Sequence, residues 1–299
     1  MGALRAEYRC AVAEIRDATW DDFDAVFELV DARSRAAFGV SGQQREHLRQ
    51  RWEQPTNERW VAVEQGVVTG YATLQEDHEL GVAALDPATG DVLLARAEDA
   101  AQARGFDHVS AIAVREDEPF WTLLDRSGFA HNRDVVRMWR ALGGDLPEPR
   151  WADGVSVRSY TDADGPAVHA LLDESYAGWD HTYVPVSHAG WLAFMTEHAE
   201  FDPALWFLVE RDGALVATAL HWREWDGRGW VKDLVVREHE RGRGLAKALL
   251  RHGFQVYKQR GADRVGLKVD STNPTGAVQL YEREGFVTDQ RLGMWEKRL

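Results

Sequence analysis

The sequence predicts a mixed α/β (α+β) protein made of two tandem domains, each a mixed central sheet flanked by helices. Three observations lead there. Segments of strand period and of helix period alternate along the 299 residues. The two halves of the chain repeat one another. Between them lies Gly143-Gly144-Asp145-Leu146-Pro147-Glu148-Pro149, a run of chain breakers. Residues 1–142 are then one domain, 143–153 a linker and 154–299 a second domain.

The elements of the first half are read best beside their counterparts. Ile15-Arg16 with Asp22, Ala25-Val26 and Leu29 matches Val157-Arg158 with Asp164, Ala167-Val168 and Leu171. Each segment is a strand followed by a threonine cap, Thr19 or Thr161, with an aspartate three residues on, which opens a helix. Trp60 and Glu64 match Trp206 and Glu210 in the middle strands. Leu93-Leu94 and Arg104-Gly105 match Leu249-Leu250 and Arg260-Gly261 on a long helix and its glycine stop. Gly128-Phe129 matches Gly285-Phe286. The offset jumps from 146 to 156 between the middle strands and the long helix. The first copy is therefore shorter there, where the second carries a strand and a glycine-rich loop.

That loop, Arg241-Gly242-Arg243-Gly244-Leu245-Ala246, follows the apolar strand Trp230–Val236 and opens a helix over about 245–260. Leu249, Gly253 and Val256, with Leu250, Phe254 and Tyr257, give the helix a wide apolar face. A glycine-rich turn at a helix N-terminus gathers backbone N–H groups at the positive end of the helix dipole, which suits a phosphate. A nucleoside-triphosphate loop would need four residues between its glycines, but only Arg243 separates Gly242 from Gly244. A dinucleotide loop would need glycine at 247, which is Lys247, although Asp270 stands where its acidic residue would. Val265, Leu267 and Val269 alternate as the next strand. Asn273-Pro274 then reads as the start of a helix that carries Ala277, Val278, Leu280 and Tyr281 and ends at Gly285-Phe286.

Arg241, Gly244 and Ala246 fit the acyl-CoA loop pattern Gln/Arg-x-x-Gly-x-Gly/Ala. The run from Asn273 through Leu280-Tyr281 to Gly285-Phe286 is similar to a second signature of the same family. On these two motifs the region of roughly 155–299 resembles the GNAT N-acetyltransferase superfamily. The tandem, two-copy layout is similar to that of mycothiol synthases, although the strand before the loop differs in detail. The first copy resembles a GNAT-like domain without the loop, with Leu124 where Tyr281 stands, and is expected to be non-catalytic.

The resemblance implies acetyl-CoA as co-substrate, no metal, and direct transfer to an amine in a ternary complex. It assigns cofactor binding to Leu234, Val235 and Val236 on the strand, to Arg241, Gly242, Arg243, Gly244, Leu245 and Ala246 in the loop, and to Asn273. Tyr281 is the expected general acid toward the departing sulfur. Asp233 is the expected base, although Lys232 stands where polyamine-type members have glutamate. Glu224, Asp226, Glu238, His221 and Tyr183 are alternatives for that role. The acceptor is expected between Asp173–Asp202 and Thr288–Trp295. The first of these regions sets Tyr176, Trp179, Tyr183, Trp191 and Phe194 beside Asp173, Glu174 and Asp180, which suits an organic cation.

Composition bounds the remaining options. The net charge of −14 argues against nucleic acid as a partner. Residues 229–299 nonetheless hold 14 Lys and Arg against 9 Asp and Glu, and contain all five lysines. An anionic donor would bind there, and the acidic remainder would draw a cationic acceptor. No apolar run is long enough to span a membrane. Residues 1–10 lack a signal-peptide core. Cys10 is the only cysteine, which removes intrachain disulfides and thiolate metal sites. The expectation is a cytoplasmic N-acetyltransferase, monomer or homodimer, for a small amine-bearing, cationic metabolite. Acetylation of a cysteinyl amine as in mycothiol synthase, a protein-lysine acetyltransferase, and an acyl-CoA-binding sensor are the other readings.

Overall fold

The computed structural model describes residues 13–38, 45–177, 185–197, 200–223 and 227–299. The chain forms two compact units, residues 1–134 with 291–299, and residues 135–290. In the first unit the order is β1 (Glu14–Asp17), α1 (Phe23–Phe38), α2 (Arg45–Glu53), β2 (Glu58–Glu64), β3 (Val67–Leu74), β4 (Glu79–Ala84), α3 (Pro87–Ala103), β5 (His108–Val114), α4 (Glu118–Arg126) and the start of β6 (Ala130–Ala141). The second unit holds the rest of β6, then β7 (Val155–Ser159), α5 (Gly165–Ala177), α6 (His188–Thr196), β8 (Trp206–Arg211), β9 (Ala214–Arg223), β10 (Gly229–Val236), α7 (Leu245–Gln259), β11 (Arg264–Asp270), α8 (Ala277–Arg283) and the start of β12 (Val287–Arg298).

The units exchange their last strands. By the sequence repeat, β6 follows Gly128-Phe129 as β12 follows Gly285-Phe286. Yet residues 135–141 of β6 pair antiparallel with β11 of the second copy. Residues 292–298 of β12 pair antiparallel with β5 of the first. The division therefore falls within β6, at 134/135, and segment 143–153 runs inside the second unit. The expected acceptor segment Thr288–Trp295 likewise passes from one unit to the other at Arg291. Composition marks where a chain turns; it carries no signal for which of two similar edges a strand joins.

Within each unit the repeat is visible residue by residue. Thr19 with Asp22 and Thr161 with Asp164 both form capping boxes. Arg16 and Arg158 each reach the respective aspartate with two hydrogen bonds of 2.6–2.7 Å. Those bonds hold both carboxyls well below the ordinary carboxylate range. Trp60 and Trp206 are both fully buried, as are Leu93, Leu249 and Leu250, with Leu94 nearly so. Gly105 and Gly261 close α3 and α7 at positive φ.

In the second unit β7, β8, β9 and β10 pair antiparallel in order. β10 then runs parallel to β11. α7 lies on one face and buries Leu245, Leu249, Leu250, Phe254 and Tyr257. Each such side chain contributes about 1.5–3 kcal/mol. α5 and α6 cover the other face with Val168, Leu171, Leu172, Trp191 and Met195 against Trp206 and Leu208. The Tyr257 hydroxyl accepts from the Trp230 N–H and lies within hydrogen-bond distance of the Trp222 and Trp230 carbonyls, at 3.0–3.1 Å. It clips β9 to β10 at the end where they are still regularly paired.

His221 of β9 is fully buried beneath α7, between Phe207 and Tyr257. Burial pushes its imidazole down to about 3, and His252 nearby adds to this. A Cβ on Gly253 would lie 2.6 Å from the His221 ring. Alanine normally gains about 1 kcal/mol over glycine in a helix, but overpacking costs about 1–3 kcal/mol where nothing can move aside. Gly253→Ala is therefore expected to destabilise the protein by about 1–2 kcal/mol in chemical denaturation. In a His221→Ala background the same change should be neutral or stabilising.

Candidate active site

The site begins where β10 and β11 part. They pair only at Gly229, Trp230 and Val231. β10 continues to Val236 against β9, and β11 continues to Asp270 against β6. Each is held on its outer edge, so the inner edges diverge with backbone groups that a sheet would normally use. Buried polar backbone without a partner is costly, and such an edge favours a ligand that presents amides in extended form.

A bulge in the β9–β10 ladder lies at Lys232, between Val231 and Asp233. It shifts the alternation by one residue. Val231 packs with the α7 side of the core, as do Leu234 and Val236, whereas Val235 packs with the α5–α6 side. Without the bulge, Asp233 would share the face of Val231 under α7. With it, Asp233 meets α5, where the Tyr176 hydroxyl donates to its carboxylate at 2.5 Å. Asp233 is 7% exposed, with Lys232 Nζ 3.8 Å away.

A cavity of about 700 Å³ occupies the cleft. Tyr281, Asp233, Leu234, Val235, Val236, Arg241, Gly242, Gly244, Leu245, Ala246 and Asn273 all line it. Arg243 instead lines a smaller adjoining cavity of about 290 Å³. Gly242 and Gly244 have φ of 77° and 81°, and a Cβ at either would meet open space. The glycines are there for their backbone angles. Gly244, Leu245 and Ala246, at the N-terminus of α7, line the cavity.

Two buried acids hold the loop and helices in place. Glu240 ends the short turn Glu238–Glu240 before the loop and pairs with Arg211 at 3.0 Å and Arg243 at 3.5 Å. Glu284 caps α8 and pairs with Arg251 at 2.8 Å and Lys247 at 3.5 Å, both from α7. Arg140 of β6 donates to the Glu284 backbone carbonyl. These carboxylates are 4% and 3% exposed, and a buried charge survives only when paired. Neither stood out in the sequence, because a glutamate beside arginines reads as a solvated surface.

Tyr281 sits one turn before Glu284, buried at the cavity wall. Burial first, and the Asp233 charge second, raise its phenol well above the ordinary value. Asn273 does not cap a helix as expected. Its side chain accepts from the Thr275 N–H and hydroxyl, and α8 starts at Ala277 after Gly276 at positive φ. The proline that suggests a helix start instead forms part of the turn. Among the alternative bases, His221 is packed under α7, Glu238 is exposed outside the cavity lining, and Glu224, Asp226 and Tyr183 lie outside the described residues, as do Trp179 and Asp180. Trp191 is buried in the α5–α6 core, and Phe194 is exposed.

The first copy keeps a strand at the equivalent place, β4, parallel to β5 at Glu79 and Leu80 only. Only the loop is missing there. Leu85-Asp86 leads directly into α3, and the Asp86 carboxylate accepts from the Thr89 N–H and hydroxyl at the helix N-terminus. Leu124 is fully buried in its core.

The acetyltransferase (GNAT) family model matches residues 166–286. A mycothiol acetyltransferase of Streptomyces coelicolor is 30% identical over 94% of this chain and 93% of its own length. A GCN5-related N-acetyltransferase from Sphaerobacter thermophilus superposes with a TM-score of 0.81 at 26% identity, covering 95% of each chain. A tandem GNAT protein from the clavulanic acid biosynthesis pathway shares the fold, with a TM-score of 0.71 at 15% identity over 95% of this chain and 98% of the other.

The raised Tyr281 phenol gives a pH expectation independent of turnover. Its proton should remain bound through the ordinary tyrosine range near 10. Alkaline difference spectra of the wild type and Tyr281→Phe should therefore coincide up to about pH 10. A phenolate lost from the variant at lower pH would contradict the burial argument.

Proposed function

This chain belongs to the GNAT acetyltransferase family and is an N-acetyltransferase, and from that premise we propose that its second unit transfers the acetyl group of acetyl-CoA directly to the primary amine of a small molecule. The cleft between β10 and β11 carries the proposal, because an open strand edge ending in a phosphate-type loop suits a long amide-bearing anion. The N–H groups of Gly242–Ala246 would hold the pyrophosphate, with Arg241 adding charge. The edge at Leu234–Val236 would pair with the pantetheine amides. Asn273 shapes the far wall.

Tyr281 would give its proton to the sulfur as the amide forms. A thiol has an ordinary pKa near 8.5 and a phenol near 10. The burial that raises the phenol raises a thiolate beside it in the same direction, so the two stay matched. Asp233 would face the acceptor ammonium and take its proton. At an alkylamine pKa of roughly 10.4 deprotonation costs about 4–5 kcal/mol at pH 7. Asp233 already accepts a hydrogen bond from Tyr176, which fixes its carboxylate toward the ammonium it would face.

That cost favours an acceptor whose amine is easier to deprotonate. An α-amine, with a pKa near 7.7–8.0, costs only about 1 kcal/mol. The mycothiol acetyltransferase relatives agree with a cysteinyl amine of this type, which we hold as the narrower second reading beside a cationic alkylamine metabolite. The first unit, with Asp86 where an anion would dock, serves as a non-catalytic partner and binds no acetyl-CoA.

Thiol release across alkylamines, aminosugars and cysteinyl amides decides the acceptor. A preference for the cysteinyl amides, with kcat/KM levelling off near pH 8, supports the narrower reading. Tyr281→Phe is expected to lower kcat on the order of 10²-fold or more with acetyl-CoA affinity nearly intact. An undiminished kcat would remove Tyr281 from the chemistry. Calorimetric titration of the wild type should give one acetyl-CoA per chain; two would overturn the silent first unit.

A further inference from the structure

Arg150, Arg243, Lys247 and Arg251 converge on the smaller cavity beside the loop. This cavity shares Gly244 and Lys247 with the large one. Two carboxylates pair with three of these four cations. Glu284 is shared by Lys247 and Arg251, and Glu240 faces Arg243 at 3.5 Å. Arg150 is exposed and has no ion-pair partner among the described residues. An excess of positive charge thus gathers at one point of a protein whose net charge is −14.

Gathering like charges is unfavourable unless something holds them, and the segment expected to be a linker supplies that hold. Gln255 donates to the Leu146 carbonyl and Arg251 to the Glu148 carbonyl, each at 3.3 Å. Lys258 donates to the Gly144 carbonyl. Leu146 and Trp151 pack against the core around α7, and Trp151 meets His252 edge-on at 5.9 Å. Residues 144–151 are strapped along α7, and the strap sets Arg150 beside the helix N-terminus.

We propose that Arg150, Arg243, Lys247 and Arg251 form a phosphomonoester subsite that receives the 3′-phosphate of the acyl donor. This inference rests on acetyl-CoA being that donor. A phosphomonoester is close to dianionic at neutral pH, its second pKa lying near 6. It offers three oxygens to guanidinium forks, whereas each pyrophosphate unit in the loop carries a single charge. The two cavities share Gly244 and Lys247 in their linings, so a phosphate in the smaller one would lie beside a pyrophosphate held at the loop. The subsite uses a residue from outside the repeated copies, and nothing equivalent to Arg150 follows from the loop motif itself.

The test is calorimetric titration of the whole protein with CoA and with 3′-dephospho-CoA, in the wild type and in Arg150→Ala. The expected result is that dephospho-CoA binds the wild type on the order of tenfold more weakly. Arg150→Ala should narrow that gap by weakening CoA alone, and added salt should narrow it further. Equal dissociation constants in the wild type would overturn the subsite while leaving the donor assignment standing. A gap that survives both Arg150→Ala and Lys247→Ala places the phosphate elsewhere and also overturns it. No binding of either ligand would overturn the donor assignment, and the subsite with it. Arg150 is exposed, so its variant is expected to fold normally.

Discussion

The divergence of β10 from β11 is the constraint on which the second unit depends. Two parallel strands held on their outer edges, by β9 and by β6, pair for three residues and then part. The sheet gives up ladder hydrogen bonds to do this. What it gains is a cleft lined by the two strand edges, by Tyr281 and by the N-terminus of α7. The Tyr257 hydroxyl confines the disruption by satisfying backbone at Trp230 and Trp222, just short of it. The bulge at Lys232 belongs to the same device. It turns Asp233 from the α7 face to the α5 face, and so brings a carboxylate, through Tyr176, to the cleft.

The charges around the cleft are organised by buried acids more than by exposed bases. Glu240 and Glu284 are almost completely enclosed, and each holds two cations in place. Such pairs contribute little net stability, because desolvation offsets their attraction. Their effect is orientation. Arg243, Lys247 and Arg251 are held together on the smaller cavity, and α8 is pinned at its end, one turn after Tyr281. Asp233 accepts from the Tyr176 phenol, and its charge adds to burial in raising that of Tyr281.

The two copies keep the same packing and differ at the loop. Buried tryptophans, helix leucines, capping boxes and left-handed glycines recur in both copies because they carry the core and the turns. The loop is the part that differs. In the first copy Asp86 caps α3 with its own carboxylate, so the helix dipole there is already met by an internal anion. In the second copy glycines open the same position. The exchange of last strands adds a consequence: each unit is completed by chain from the other copy.

The sequence by itself determined the α/β class, the two copies, and the strand–loop–helix with its following strand and Tyr281 helix. These are local features, written in the spacing of apolar residues and in glycines that need positive φ, and Arg241–Ala246 could be read directly. It misplaced the start of α8, because Asn273-Pro274 serves a turn as readily as a helix. Only the tertiary structure decided which edge β6 and β12 join, that a bulge re-aims Asp233, that Glu240 and Glu284 are interior, and that residues 144–151 are strapped to α7. Register, strand exchange and burial of charge are set by what lies across the sheet or under a helix. Those partners are far away in the chain, and no spacing along it records them.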